Sequence, residues 1–326
     1  MSLANFTTEY LNHPSVSNSE LGYFIQSPYK FSKYKSGQYE ETSSGYYLGD
    51  IIHKKVLEPD TFNDLFIYQP ENVVVPSRED HTAFADTIIA GFTPEESYDS
   101  IFKGKGKVRE DKIAELVGKY TYYIEFKKTV GNRQIITLGD QIIIDAAITS
   151  LKDHRGSHKL LFEQGEHLIG LNEKEIMGYE VYGIKWKSKI DRILVNIRDR
   201  VIDIIDLKTT GKPIHTFPYS YMYYNYHRQQ ALYAHAAVHF LSKVNVVDDL
   251  QGYVIRNKCV AVETNDPFEA RVFRIHPEII QRGDEEIEKY AGLLAWHSEN
   301  KEWFYTKTAS ESRDFADIID AEAVER

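Results

Sequence analysis

Residues 200–208, RVIDIIDLK, constrain the fold of this chain more than any other stretch. The run is apolar and β-branched almost throughout, interrupted only by Asp203 and Asp206 before it ends at Lys208. Successive side chains of a strand point to opposite faces, so a run of this kind needs cover on both sides. It predicts the central strand of a layered sheet. Two further strands are predicted before it, at 179–186 and 188–198, both rich in β-branched and aromatic residues. A helix at about 219–243, strands near 250–257, 259–264 and 270–275, and a helix from Pro277 to about 299 follow.

Upstream the period is helical. Ser17-Asn18-Ser19-Glu20 has the form of a capping box, opening a short helix that Ser27-Pro28 interrupts. Residues 46–58 place Leu48, Ile51, Ile52 and Val56 at helical spacing, with Pro59 as a stop. FTPEE at 92–96 reads as a helix start, and 139–154 as an amphipathic helix, whereas 60–135 shows mixed short elements. The predicted class is α/β: a mixed central β-sheet flanked by helices, with an N-terminal helical elaboration. The expected organisation is one domain over 1–326. Within it lie a mainly helical part at 1–160, a core at 175–300 and an acidic tail at 301–326.

The candidate chemistry begins at the end of the central strand. Asp206 and Lys208 are two apart and share a face, while Leu207 points into the opposite core. A carboxylate there can coordinate Mg²⁺, and the ammonium can orient water or offset charge developing on a phosphate. Asp191, between Ile190 and Arg192 on the preceding strand, comes beside Asp206 if the two strands form an antiparallel hairpin. Glu180 offers a third carboxylate. Hard oxygen donors without cysteine point to Mg²⁺, with Mn²⁺ as the alternative. Asp203 is a rival to Asp206, but it faces away from Lys208. His53 lies one helical turn after Gly49, whose missing side chain leaves room for a strand or an ion to approach. Gln229 and Tyr233 share a helix face and can hold a phosphate or a DNA backbone. His154, His158 and His167 form a second candidate metal set, weakened by Gly156, which disfavours a helix between the first two.

Net charge is −10, which argues against a protein that coats DNA nonspecifically. Two basic clusters are nonetheless present: Lys103, Lys105, Lys107, Arg109 and Lys112, and Lys185, Lys187, Lys189, Arg192, Arg198 and Arg200. The single cysteine, Cys259, excludes an intramolecular disulfide and any four-cysteine metal site. The N-terminus lacks the basic start and apolar run of a signal peptide, and no apolar run reaches the roughly 20 residues that span a bilayer. The expectation is a cytoplasmic protein with no membrane association.

The segments LGDIIH at 48–53, GYEVYGIKWKSKIDRI at 178–193, IIDLKTT at 204–210 and YHRQQALY at 226–233 together resemble the PD-(D/E)XK nuclease superfamily. Within it they are most similar to the RecB-like branch and to RecE-type (exonuclease VIII-like) phage and prophage exonucleases. SNSELGYFIQSPYKF at 17–31 resembles the opening of those enzymes, so the likeness spans about 17–240. It implies a restriction-endonuclease-like αβββαβ core in a single nuclease domain. It assigns His53, Asp191 and Asp206 to the metal, Glu180 to an assisting acid, Lys208 to catalysis, and Gln229 with Tyr233 to the motif that positions DNA. Ile190 stands where the family's usual proline would be, and the cysteines of its iron–sulfur members are absent. GKGK at 104–107 lacks the phosphate-loop pattern, so no helicase is implied. The implied activity is Mg²⁺-dependent hydrolysis of double-stranded DNA from 5′ to 3′ in phage-type recombination, by a homo-oligomer working with a single-strand annealing protein in a bacterial or phage-infected cell. The alternatives are a structure-specific endonuclease and a non-catalytic DNA-binding protein on the same fold.

Overall fold

The structure is a computed structural model and describes residues 7–39, 47–103, 105–244, 246, 249–312 and 314–317. The chain divides into two compact units, Met1–Glu58 with Ala146–Arg326, and Pro59–Asp145. In the first unit, α1 (Asn18–Gln26) starts at the Ser17 capping box, where Ser17 accepts from the Glu20 N–H and Glu20 accepts in return. Ser27 ends α1 and at once caps the helix Pro28–Lys35, whose proline needs no backbone donor in the first turn. α2 is Tyr47–Leu57.

The sheet of this unit has five strands in spatial order β1 to β5: Leu168–Val181, Ile184–Asn196, Val201–Thr210, Val254–Glu263 and Ala270–Arg274. β1, β2 and β3 form an antiparallel meander, β3 and β4 are parallel, and β4 and β5 are antiparallel. The parallel step needs a crossover, supplied by α3 (Phe217–Tyr223) and α4 (Tyr226–Leu241). Every residue of β2 from Trp186 to Val195 is buried, as is β3 from Val201 to Leu207, which is the burial predicted for a central strand. Ile202 and Ile204 join Ala231, Leu232, Tyr233 and Ala236 of α4 in the main core. α5 (Pro277–Asn300) packs on α4, and the crossing is close: a Cβ at Gly283 would come 2.5 Å from the His227 carbonyl oxygen.

Three boundaries differ from expectation. The stretch 179–186 is not one strand but two strand ends around the turn Tyr182-Gly183, where φ is +52° and +74°. Two successive left-handed residues suit the twist of a two-residue hairpin. The helix expected over 219–243 is broken, because Asn225 takes φ +55°, a conformation asparagine adopts more readily than most residues. The two strands expected near 250–257 and 259–264 are one strand, β4. His154 is the N-cap of a helix, Arg155–Leu161, that does contain Gly156; its ring accepts from the Ser157 N–H, and His158 bonds the Lys152 carbonyl.

The second unit is mainly helical, with helices at Glu79–Ile89, Pro94–Ile101 and Gly106–Val130 and a parallel strand pair, Phe66–Tyr68 with Gln134–Ile136. Phe84, Tyr98, Leu116, Tyr120 and Ile124 fill its core, and the ring of buried His81 bonds the Tyr120 hydroxyl at 2.8 Å. Thr93 and Glu96 form the capping box at FTPEE. The long helix was illegible because Tyr122 is exposed while Tyr120, Ile124 and Phe126 are buried, so large apolar groups surround it. No helix of the described residues is long and apolar enough to cross a membrane. Of the acidic tail expected at 301–326, residues 313 and 318–326 lie outside the described residues; the short helix Lys307–Glu311 precedes them.

Candidate active site

The site forms where β2 and β3 part. Their ladder ends at Arg192 opposite Ile205. One step further, the Leu207 N–H donates to Asp191 Oδ2 at 2.8 Å, so a side chain takes the place of a backbone acceptor. This fixes the Asp191 carboxylate at the fork. Asp206 is fully buried and near enough to Asp191 to feel its charge. Lys208 Nζ donates to Asp206 Oδ1 at 2.7 Å and stands 4.9 Å from the centre of the Tyr226 ring.

From the helical side, His53 Nδ1 lies 3.7 Å from Asp191 Oδ2. The approach depends on Gly49, since a Cβ there would come 2.9 Å from Thr209 Oγ1 of β3. The space left by Gly49 is used by a strand. Tyr233 is buried and accepts from Gln229 Nε2 at 2.7 Å, so its own hydroxyl proton remains to donate. Its hydroxyl is raised by burial and then by the Asp191 and Asp206 charges, which keeps it protonated.

Glu180 does not enter this group. It is exposed, beside the hairpin turn and opposite Lys185. The third carboxylate near the fork is Glu173, whose oxygen, with donor atoms of His53 and Asp191, lies in a group all within 4.8 Å of one another. Among the described residues this is the grouping able to hold a metal ion, and Asp206, His154, His158 and His167 are not in it. The cause is a bulge. Counted out from Tyr182-Gly183, a regular hairpin would set Lys174 opposite Asp191. The register shift between Met177 and Tyr179, at Gly178 with φ +73°, moves it by one, and Glu173 falls between the pairs Asn172–Arg192 and Lys174–Ile190. Glu173 itself takes φ +50°, at a cost of about 1 kcal/mol for a non-glycine residue. Lys189 holds it at 2.6 Å. Glu173 was hidden because Asn-Glu-Lys-Glu at 172–175 has the composition of a loop; the turn at Tyr182-Gly183, which lies inside the single strand expected over 179–186, is the signal that could have placed a strand there.

Burial raises the Asp206 carboxyl to about 6 against the pull of Lys208, with Asp191 adding to the rise. Asp191 and Glu173 are raised as well, both by burial first. Burial pushes Lys208 toward neutrality, but Asp206 and Asp191 outweigh it and hold the ammonium above its usual value. Burial and Lys208 lower His53, which favours the neutral imidazole a metal needs. Three carboxylates thus face two ammonium groups, a surplus of one negative charge that favours a cation in place of the protons the raised carboxyls take up. One imidazole among carboxylate oxygens fits Mg²⁺ or Mn²⁺. Cys259 lies 4.0 Å from Asp206, yet burial raises its thiol far above the usual range, so it stays a thiol and no thiolate competes.

Half of the basic cluster interleaved with the site is internal, while Lys185, Arg198 and Arg200 are exposed. Lys187 bonds the carbonyls of Tyr10 and His13 and pairs with Glu20, Lys189 pairs with Glu173, and Arg192 bonds the Leu160 carbonyl. In the other cluster, Arg109 pairs with Asp99 and Lys112 with Glu115. Asp203 points away from the site to Lys258, at 2.9 Å.

Residues 17–306 match the family described as "PDDEXK-like domain of unknown function (DUF3799)". The chain belongs to this family. Membership places it in the PD-(D/E)XK superfamily, whose helix–three strands–helix–strand core is the α2–β1–β2–β3–α4–β4 order found here. Among solved structures, this PDDEXK-like chain is similar to one from Eubacterium rectale described as a "putative exonuclease", with TM-score 0.50 and 13% identity over 93% of this chain and 87% of that one. At that identity the likeness concerns the fold. A structure of SSO0001 gives TM-score 0.22 and 15% identity over 84% of this chain and 98% of that one, too low to carry an argument. The comparison with curated proteins found no match.

Proposed function

We propose that this PDDEXK-like chain is a divalent-metal-dependent deoxyribonuclease, and that it acts as a 5′-to-3′ exonuclease on double-stranded DNA. One observation carries the reading: the Asp206–Lys208 pair, Asp191 and His53 converge from two strands and a helix far apart in sequence. His53, Asp191 and Asp206 would hold Mg²⁺ or Mn²⁺, with Glu173 in the position expected of Glu180. When bound, the cation supplies Lewis-acid activation of the phosphate and of water.

The remaining roles belong to the chain. Asp206 fixes the Lys208 ammonium, and Lys208 orients the attacking water and stabilises charge on the phosphoryl oxygens. Tyr233, held by Gln229, donates its hydroxyl to a phosphate oxygen and sets the strand in line. A bond forms from the water oxygen to phosphorus as the bond to O3′ breaks, leaving a 5′-phosphate on one fragment and a 3′-hydroxyl on the other. A homo-oligomer and a single-strand annealing partner in phage-type recombination complete the proposal, as the RecE-type resemblance implies.

End-labelled linear duplex DNA with Mg²⁺, compared with covalently closed circles, tests the activity. Linear DNA shortened from its 5′ ends while circles survive is the expected result. Circles destroyed as fast as linear DNA would make it an endonuclease, and no hydrolysis with either metal would remove the reading. Phosphorothioate linkages at one end or the other fix the polarity.

A further inference from the structure

A band of exposed aromatic rings runs outward from Lys208. Lys208 Nζ lies 4.9 Å from the centre of the Tyr226 ring. Tyr226 is 5.8 Å from Tyr224 between centroids, and Tyr224 is 5.0 Å from Tyr223. Tyr219 lies four residues before Tyr223 on the same side of α3, while Tyr221 between them turns into the core. Tyr219 is 81% exposed, Tyr223 79% and Tyr224 49%. Rings left in water side by side in this way mark a surface with an occupant.

The charge pattern says what kind. In a chain with 49 acidic residues, no Asp or Glu occurs between Asp206 and Asp248. The same segment carries exposed Lys212 and His215 shortly before Tyr219 in the chain. Rings and cations on a segment that carries no carboxylate of its own to repel phosphate make a surface on which unpaired bases stack while the backbone meets positive charge. An apolar protein partner would not require the missing acids.

We propose that Tyr219, Tyr223 and Tyr224 form a stacking platform for single-stranded DNA, leading the unpaired strand to or from Lys208. The platform deepens the nuclease reading and rests on it for its purpose. It gives the enzyme a grip on the strand that sequence identity does not affect, because every base has a π-face.

The test is binding of a fluorescently labelled oligo-dT, measured with Ca²⁺ in place of Mg²⁺, so that hydrolysis plays no part in the readout. The triple variant Tyr219→Ala, Tyr223→Ala, Tyr224→Ala should lose about tenfold or more in affinity with an unchanged melting temperature, since all three side chains are exposed. The triple Phe variant should bind as the parent does, because stacking uses the ring and not the hydroxyl. Blunt duplex of equal length should lose less than oligo-dT. Unchanged oligo-dT binding in the Ala variant would overturn the platform even in an active nuclease. So would a change of oligomeric state by sedimentation with binding intact, which would make the face a contact between copies. An inactive chain whose Ala variant loses the oligonucleotide would keep the platform and discard the nuclease.

Discussion

β3 carries two buried aspartates, each paired with a half-buried lysine, Asp206 with Lys208 on the same strand and Asp203 with Lys258 of β4. Asp206 meets Lys208 at 2.7 Å, and Asp203 meets Lys258 at 2.9 Å. Residue types and distances are nearly the same, yet the surroundings differ. Asp203 and Lys258 neutralise each other one for one. Asp206 and Lys208 stand beside Asp191 and His53, which in turn group with Glu173, and there carboxylates outnumber ammonium groups. An isolated ion pair is a structural device, and often not a strongly stabilising one. A pair set in a surplus of negative charge has a use for a cation, and its lysine is held charged where a phosphate could arrive.

The largest expected effect separates the two pairs directly. Asp206→Ala and Lys208→Ala should each reduce DNA hydrolysis by about 10³-fold or more, the scale of losing an electrostatic group in a transition state. Asp203→Ala should instead lower stability, by at most about 3–5 kcal/mol as the Lys258 charge is stranded, with activity of the folded enzyme within a few-fold. Chemical denaturation alongside a cleavage assay checks both. Loss of cleavage in folded Asp203→Ala would break the comparison.

Metal-linked stability comes next. Mn²⁺ at about a hundred times its dissociation constant should stabilise the parent and Asp203→Asn by about 2.7 kcal/mol. The gain should vanish in Asp191→Ala and shrink in Glu173→Gln, and it should be unaffected in Glu180→Gln. Thermal shifts with and without chelator measure it.

A pH effect follows from the raised carboxyls. Asp206 has a folded value of about 6 against 3.8 for the free group. A raised acid binds its proton more tightly in the folded state, so its contribution is complete below 3.8 and is lost as pH rises through about 6. Metal-free protein should lose about 3 kcal/mol over that window. His53, lowered by burial, acts in the opposite sense as pH approaches its ordinary value of 6.5. Saturating Mg²⁺ should flatten the decline, because the cation favours the ionised carboxylates. Denaturation midpoints from pH 4 to pH 7 would show it.

The smallest effect concerns the approach of α2. Gly49→Ala places a methyl group 2.9 Å from Thr209 Oγ1 and should displace His53. A several-fold loss of kcat/KM is expected, largely restored by adding Thr209→Ala. A Gly49→Ala variant as active as the parent would mean that the close approach does not position His53.

Much of this site was legible in the sequence because strands alternate strictly. The face shared by Asp206 and Lys208, and the separation of Asp203 from them, follow from counting residues along one strand. α2 and the α4 pair Gln229–Tyr233 follow from helical spacing in the same way. Glu173 was not legible, because it depends on a bulge at Gly178 that changes which residue faces Asp191. A strand pattern cannot show such a shift unless the turn and the bulge are both located. The internal use of Lys187, Lys189 and Arg192 was hidden for a related reason: charge on a strand looks the same in sequence whether it faces solvent or a carbonyl.

Crystals soaked in Mn²⁺, with data collected for its anomalous signal, show whether the fork holds a cation. A peak is expected at the β2–β3 fork, ligated by His53 and Asp191, with Asp206 or Glu173 completing the set and Glu180 remote from it. No peak at the fork under saturating Mn²⁺, or a peak held by other side chains, would contradict that expectation.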